Sequence, residues 1–308
     1  MNKLVLLLFC FLLGNTAFSQ RKLTVGGAKG LPQGGDKGQF NRDSLSGKPS
    51  RKAVKNDEAK IKDYLIITRE NDTIQVDTTL SIYKDYKFNY LRRDDFELLP
   101  FSNMGQTYNS LSLDLKSTTI IPNIGATAKH FNYMDVDAIN YYRVPTPFTE
   151  LMYKTAFEQG HVLDAFFTVN TSDQFNLSIA YKGMRSLGQY QHILSSTGNF
   201  RFTTSYNTKG NRYKLRTHIV IQDILNQENG GISDEDLTSF ESGDPEFTDR
   251  SLFDPLFENA QSNLEGRRFH MDQSYMIKAR DSLNSNQISI GNLLTFEDKY
   301  YQFTQDSN

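Results

Sequence analysis

The stretch Val162 to Tyr181, VLDAFFTVNTSDQFNLSIAY, constrains the fold more than any other part of the chain. Leu163, Ala165, Phe167 and Val169 occupy every second position. After a polar turn at Thr171 to Gln174, Phe175, Leu177, Ile179 and Tyr181 do the same. Asp164, Thr168, Asn170, Asn176 and Ser178 fill the alternate places, and Phe166 breaks the polar row. Period-two alternation on both arms of a short turn predicts a half-buried antiparallel hairpin.

The pattern recurs, so an all-β chain is expected. Candidate strands lie at 107–115, 123–132, 149–157, 161–170, 175–183, 199–207, 212–223, 267–278 and 286–297. Phe200, Phe202, Thr204 and Tyr206 oppose Arg201, Thr203, Ser205 and Asn207. Tyr213, Leu215, Thr217, Ile219 and Ile221 oppose Lys214, Arg216, His218 and Gln222, with Val220 as the exception. The prolines at 32, 49, 100, 122, 145, 147, 245 and 255 all fall outside these candidates, as residues unable to donate to a β-ladder should. Only Asp254 to Leu264 is expected to be helical.

Short connections at 171–174, 208–211 and 279–285 alternate with connections at 158–160, 184–198 and 224–266, of which the last two are long. Short turns on one edge and long loops on the other match an outer-membrane β-barrel, whose strands need only about 9–11 residues to span. A spanning strand at 123–132 would leave 133–148 as a long connection on the wrong edge. With 22 Phe, 16 Tyr and no Trp, the chain suits a sheet that meets an apolar medium on one side and water on the other. Its formal net charge of -2 argues against a general nucleic-acid binder.

The first 19 residues read as an export signal: Lys3, then the apolar run Leu4 to Leu13, then Ala17-Phe18-Ser19 before Gln20. The run is about half the roughly twenty residues a spanning helix needs. Cys10 leaves with the signal, so the mature chain carries no cysteine and no disulfide. Residues 20–60 are rich in Gly, Lys and Ser and poor in large apolar residues, which predicts a disordered tail. Gly30 to Gly35 has the first spacing of a phosphate loop, but Asp36 stands in place of the required lysine. Residues 61–106 read as a small β-rich segment ahead of the barrel strands at 107–308.

Phe96 to Leu111 (FELLPFSNMGQTYNSL) and Tyr142 to Gln191 resemble the putative porin family of the Bacteroidetes, with the likeness running from about Ile61 onward. The resemblance implies an antiparallel transmembrane β-barrel of the outer-membrane type in a Gram-negative envelope, with membrane lipid and small polar solutes as its partners. Such barrels end on an aromatic residue and have an even strand number, whereas this sequence ends Gln305-Asp306-Ser307-Asn308. The expectation is therefore the N-terminal part of a longer barrel, incomplete in this chain.

Within that reading, Lys182, Arg201, Lys214, Arg216, His218 and Arg268 are the candidate pore-lining residues, and rings of Lys and Arg there favour anions. Leu163, Phe167, Val169, Leu177, Ile179, Phe202, Leu215 and Ile219 are the lipid-facing candidates. Tyr181, Tyr206 and Tyr213 stand at strand ends, where an interfacial aromatic girdle belongs. Enzyme chemistry finds no foothold. The histidines at 130, 161, 192, 218 and 270 lack metal spacing, no GxSxG elbow occurs, and no catalytic residue, metal or cofactor is expected.

The acidic loop (Asp234, Glu235, Asp236, Glu241, Asp244, Glu246, Asp249, Asp254, Glu258) offers oxygens for calcium but lacks the ordered D-x-D-x-D-G spacing. Asp43-Ser44-Leu45, Asp72-Thr73-Ile74, Asp77-Thr78-Thr79 and Asp281-Ser282-Leu283 match a weak three-residue O-glycosylation pattern. The alternative is a secreted β-sandwich that binds glycan or mediates adhesion through loop 224–266. The export signal makes a direct prediction: mass spectrometry of the envelope protein should find Gln20 as the mature N-terminus. Retention of Met1 to Ser19 would overturn it.

Overall fold

The alternating segments form one antiparallel meander, preceded in the chain by short strands. The early elements are β1 (Leu65–Ile67), β2 (Thr73–Gln75), β3 (Leu98–Pro100), β4 (Tyr108–Ser110) and β5 (Tyr141–Arg143). The meander comprises β6 (Phe148–Ala156), β7 (Gly160–Ser172), β8 (Phe175–Ser186), β9 (Ser195–Asn207), β10 (Tyr213–Gln227), β11 (Gln261–Lys278) and β12 (Ile288–Thr304). Each of its strands pairs with its neighbour in sequence, and β6 and β12 do not meet, so the sheet is open. The computed structural model describes residues 59–79, 81–112, 129, 131–156, 160–278 and 287–306. All belong to the unit that runs from Val54 to Asn308.

The register aligns the alternation of every strand. One rung reads Thr149, Phe167, Ile179, Phe202, Ile219, Phe269 and Phe296 from β6 to β12. The adjacent rung, on the other face, reads Phe148, Thr168, Ser178, Thr203, His218, His270 and Thr295. Burial is inverted relative to a protein that folds in water. Phe167, Ile179, Ile219 and Phe296 are exposed, while Thr168, Ser178, Thr203, His218 and His270 are buried. The apolar face lies bare and the polar face is covered.

Connection lengths follow the expected asymmetry among the described residues. Asp173 and Gln174 join β7 to β8, and 208–212 join β9 to β10, on one edge. On the other edge, 187–194 join β8 to β9 and 228–260 join β10 to β11. The β6–β7 connection at 157–159 and most of the β11–β12 connection lie outside the described residues, as do the export signal, nearly all of the 20–60 tail, His130 and the motifs at Asp43 and Asp281.

Several expected boundaries need correction. The long loop is 228–260 rather than 224–266, because β10 and β11 extend past the stretch in which their outward residues are apolar. β12 likewise runs on to Thr304. The main sheet begins at Phe148, not at Thr107. Tyr108–Ser110 pairs only with β3, and the described residues 129, 131 and 132 belong to helical turn and bend rather than to a strand. Pro100 ends β3, which pairs on one side only, so its missing N–H costs no ladder bond. The helix in the loop is α1 (Asp234–Glu241), not 254–264. Ser233 caps it by accepting from Asp236 N–H at 3.1 Å, and three acidic residues in its first turn complement the helix dipole. Residues 261–264 are already strand.

Candidate functional site: a covered polar face

Residues that precede the meander lie over its polar face. β1 pairs with β2 and with β5, and β5 sits against β7, β8 and β9. Together with the irregular segments 88–108 and 131–144, they supply partners for side chains that would otherwise be buried unbonded, which costs about 1–3 kcal/mol each.

The centre is pinned at Met134. Gln222 Oε1 accepts from its backbone N–H at 2.9 Å, and Gln222 Nε2 donates to its carbonyl at 3.2 Å. A side-chain amide carries one donor and one acceptor edge, so Gln222 pairs with this backbone as a neighbouring strand would. Arg268 donates to the same carbonyl at 2.8 Å and to Glu297 at 3.3 Å. Arg268 Nε also lies 3.2 Å from His218 Nε2. A guanidinium only donates, so His218 accepts there, is neutral, and carries its proton on Nδ1. That proton goes to the Tyr141 hydroxyl at 3.0 Å. His270 stacks on His218 with ring centroids 4.8 Å apart.

Towards the short-turn edge, Arg216 donates to the Thr68 carbonyl at 3.1 Å and to Asn71 Oδ1, with its guanidinium 5.4 Å from the Tyr141 ring centroid. Asn71 has a positive φ of 71° in the β1–β2 turn, a conformation asparagine tolerates. Towards the long-loop edge, Asn103 donates to the carbonyls of Ser186 (3.1 Å) and Ile193 (2.8 Å) and accepts from the Ser186 hydroxyl at 2.7 Å. Asn226 donates to the Gly105 carbonyl at 3.3 Å and to Ser195 Oγ at 2.8 Å. Gly105 combines a φ of +81° with a position where a Cβ would fall 1.7 Å from Met184 Cε. Tyr90 bonds Thr197 Oγ1 at 2.6 Å, and Tyr133 donates to Glu297 at 2.6 Å. Burial pushes the phenols of Tyr90, Tyr133 and Tyr141 well above their ordinary range and that of Tyr142 up to about 12, so all four stay neutral.

All six sequence-predicted lining residues lie on this polar face. Arg216, His218 and Arg268 meet around Tyr141 and Met134. Lys182 sits 4.5 Å over the Tyr90 ring, and Arg201 is 3.5 Å from Asp164. Asp164 also faces Arg92, which pairs with Glu150. Lys214 is half-buried near the short turns, opposite Asn207. The eight apolar candidates share the opposite face. Phe167, Ile179 and Ile219 are exposed there, and Leu163, Val169, Leu177, Phe202 and Leu215 are half-buried. Sequence reasoning missed Gln222, Asn103 and Asn226 as clamps, along with the tyrosines they serve. Asn103 and Gly105 lie inside the FSNMGQ phrase that carries the family likeness.

The long loop folds on itself. Phe253 is buried between Phe240 (5.7 Å) and Phe247 (6.2 Å), and Arg250 lies 4.1 Å over Phe240. Phe240, Phe247 and Phe253 thus form a small cluster within the loop. Asp244 and Asp249 accept from the backbone N–H of Glu246 and Ser251, each at 3.0 Å, so both carboxylates cap local turns. The Ser251 bonds hold the Asp249 carboxyl below its ordinary range. Among the described residues, no three His, Asp or Glu side chains gather to hold a metal.

The family model described as putative porin matches residues 60–308. The chain belongs to that family. The matched region holds both the meander and the segments that cover it, and membership points to a porin-like role in the outer membrane. No curated protein and no solved structure matches the chain.

Within this porin family chain, Gly266 tests the packing of the covering segment. A Cβ there would fall 2.0 Å from the Tyr133 hydroxyl and 2.7 Å from its ring. Gly266→Ala should therefore cost about 1–3 kcal/mol in urea unfolding from lipid vesicles, the usual penalty of overpacking. Gly210→Ala, whose nearest neighbour is 4.0 Å away, should change stability by less than about 0.5 kcal/mol.

Proposed function

We propose that the meander is part of the wall of an outer-membrane channel that passes small polar solutes by passive diffusion, with a preference for anions. The inverted burial carries the reading. Only a medium without water makes a bare rung of Phe167, Ile179, Phe202, Ile219, Phe269 and Phe296 stable on the same sheet that buries Thr168, Ser178 and His218. The outward apolar stretch of β10, from Tyr213 to Ile221, is nine residues long, against about 9–11 for a spanning strand. Tyr181 stands at one end of the bare belt, and Tyr206 and Tyr213 at the other, 6.4 Å apart. Among the described residues no helix is long and apolar enough to cross a membrane, which leaves strands as the candidates.

Inward positions carry Lys154, Lys182, Arg201, Lys214, Arg216, Arg268 and Lys299 against Glu150, Asp164, Asp272 and Glu297. That excess of cations supports anion preference. Diffusion through such a wall needs no catalytic residue, metal or cofactor. Its partners are membrane lipid outside and polar solutes inside, with no role for nucleic acid.

Reversal potentials in planar bilayers under a KCl gradient should shift towards the chloride equilibrium potential, and a shift towards potassium would sink the anion preference. Ile219→Arg places a charge in the middle of the bare belt. It should destabilise the vesicle-inserted protein by about 2–4 kcal/mol in equilibrium unfolding. An unchanged midpoint would mean that this face does not meet lipid.

A further inference from the structure

The polar face contains apolar residues that a water-filled lumen does not require. Val162, Phe166, Met184, Val220, Ile224 and Leu264 all point inward among the hydrogen-bonding side chains. Five of them are buried, and Phe166 is half-buried with its ring centroid 4.4 Å from that of Tyr142. Five of the six, all but Val220, pack against the covering segments. Tyr90, Leu91 and Met104 pack on Val162 and Met184, and Tyr133 packs on Ile224 and Leu264. If the covering segments left, water would serve Gln222, Asn226 and Arg268 well. It would serve the six apolar residues badly. The wall is thus built for a permanent neighbour.

We propose that residues 65–75, 88–108 and 131–144 are a resident plug that closes the polar face of β7–β11 to solutes. The plug is held from both ends of the strands: Asn103 and Gly105 at the long-loop edge, Met134 and Tyr141 at the centre, and Thr68 and Asn71 at the short-turn edge. Its grip combines neutral bonds through Asn103, Gln222 and Asn226 with charged ones, from Arg216 and Arg268 to the plug's carbonyls and from the plug's Arg92 to Glu150 and Asp164. In the proposed channel, an inference that rests on the preceding reading, solutes pass where the plug leaves space, and the plug sets how much space there is.

Single cysteines test this against a clear background, since the one cysteine in this sequence is Cys10 in the proposed export signal. Thr203 and Thr295 share one rung and one face, but Thr203 is buried under the plug and Thr295 is exposed. The Thr203 hydroxyl has no hydrogen-bond partner among the described residues, so Thr203→Cys is a mild change. In vesicles, a membrane-impermeant methanethiosulfonate should label Thr203→Cys at least about tenfold more slowly than Thr295→Cys, because labelling waits for the plug to open locally. Equal rates would overturn the plug.

Adding Tyr90→Ala and Tyr133→Ala, both on the plug side, should speed labelling of Thr203→Cys and raise single-channel conductance. Faster labelling with unchanged conductance would show that the covered face lies off the solute path and overturn the closure. If the loosened variant does not fold, the two single cysteines still decide. Protected Thr203→Cys with no conductance in any variant would remove the channel reading while the plug stands.

Discussion

Everything in this structure depends on a sheet whose polar side is the covered one. A buried hydroxyl, amide or guanidinium forgoes water and must find a partner inside the protein, whereas a buried leucine asks only for contact. The covering segments answer that demand one group at a time. Met134 offers its backbone to Gln222 and Arg268, Thr68 offers a carbonyl to Arg216, and Asn103 donates to the meander's carbonyls at Ser186 and Ile193. The dependence runs both ways. Residues 131–144 contribute only a three-residue strand and a short helical turn of their own, so their backbone takes its order from side chains on β10 and β11. Wall and plug are one hydrogen-bonded unit, and neither is complete alone.

The alternation on β7 to β10 is readable residue by residue because the two faces meet different media, and a period of two then survives in the sequence. That is why the hairpin at Val162 to Tyr181 and both rungs beside it were legible. The strand ends were not, for a related reason. At Gly183, Gly198, Asp223 and Glu265 the outward row stops being apolar, and the contrast that marks a strand fades although the ladder continues. The covering segments left still less trace. Gln222 meets Met134 across 88 residues of sequence, and no local pattern encodes such a pair. Phe166 and Val220 were visible as breaks in the polar row. The structure explains the first, since Tyr142 and Phe148 pack around Phe166. Val220 is fully buried between Arg201 and Arg268 on the same face.

Those breaks belong to a larger change along the strands. In the belt, inward residues are polar and outward residues apolar. Towards the long-loop edge the assignment reverses. Val162, Met184, Ile224 and Leu264 now point inward and are buried, while His161, Arg185, Asp223 and Glu265 occupy the outward rows. At that level the inward face carries an apolar patch between wall and plug, and beyond it Ser186, Ser195, Asn226 and Ser262 make the buried row polar again.

On the proposed channel reading, this shift lets one strand serve two solvents. β11 has 18 residues, about 60 Å at ~3.4 Å per residue, roughly twice the thickness of a bilayer's hydrocarbon. No strand of that length can keep one phase of alternation and be stable throughout, because its outer half would then bare apolar residues to water. Shifting the apolar row from outside to inside, without a bulge in β10 or a break in its register with β9 and β11, keeps the ladder intact and changes only which side chains are used. The switch falls between Ile221, the last outward apolar residue of the β10 belt, and Ile224, the first of the inward apolar pair with Leu264. Asp223 stands between them on the outer face, where a carboxylate would be costly in hydrocarbon and costs little in water. The change of apolar face is thus written into β10 within three residues. The plug's apolar contacts follow the inward apolar residues, Tyr142 on Phe166 within the belt and Tyr90, Met104 and Tyr133 on Val162, Met184, Ile224 and Leu264 above it.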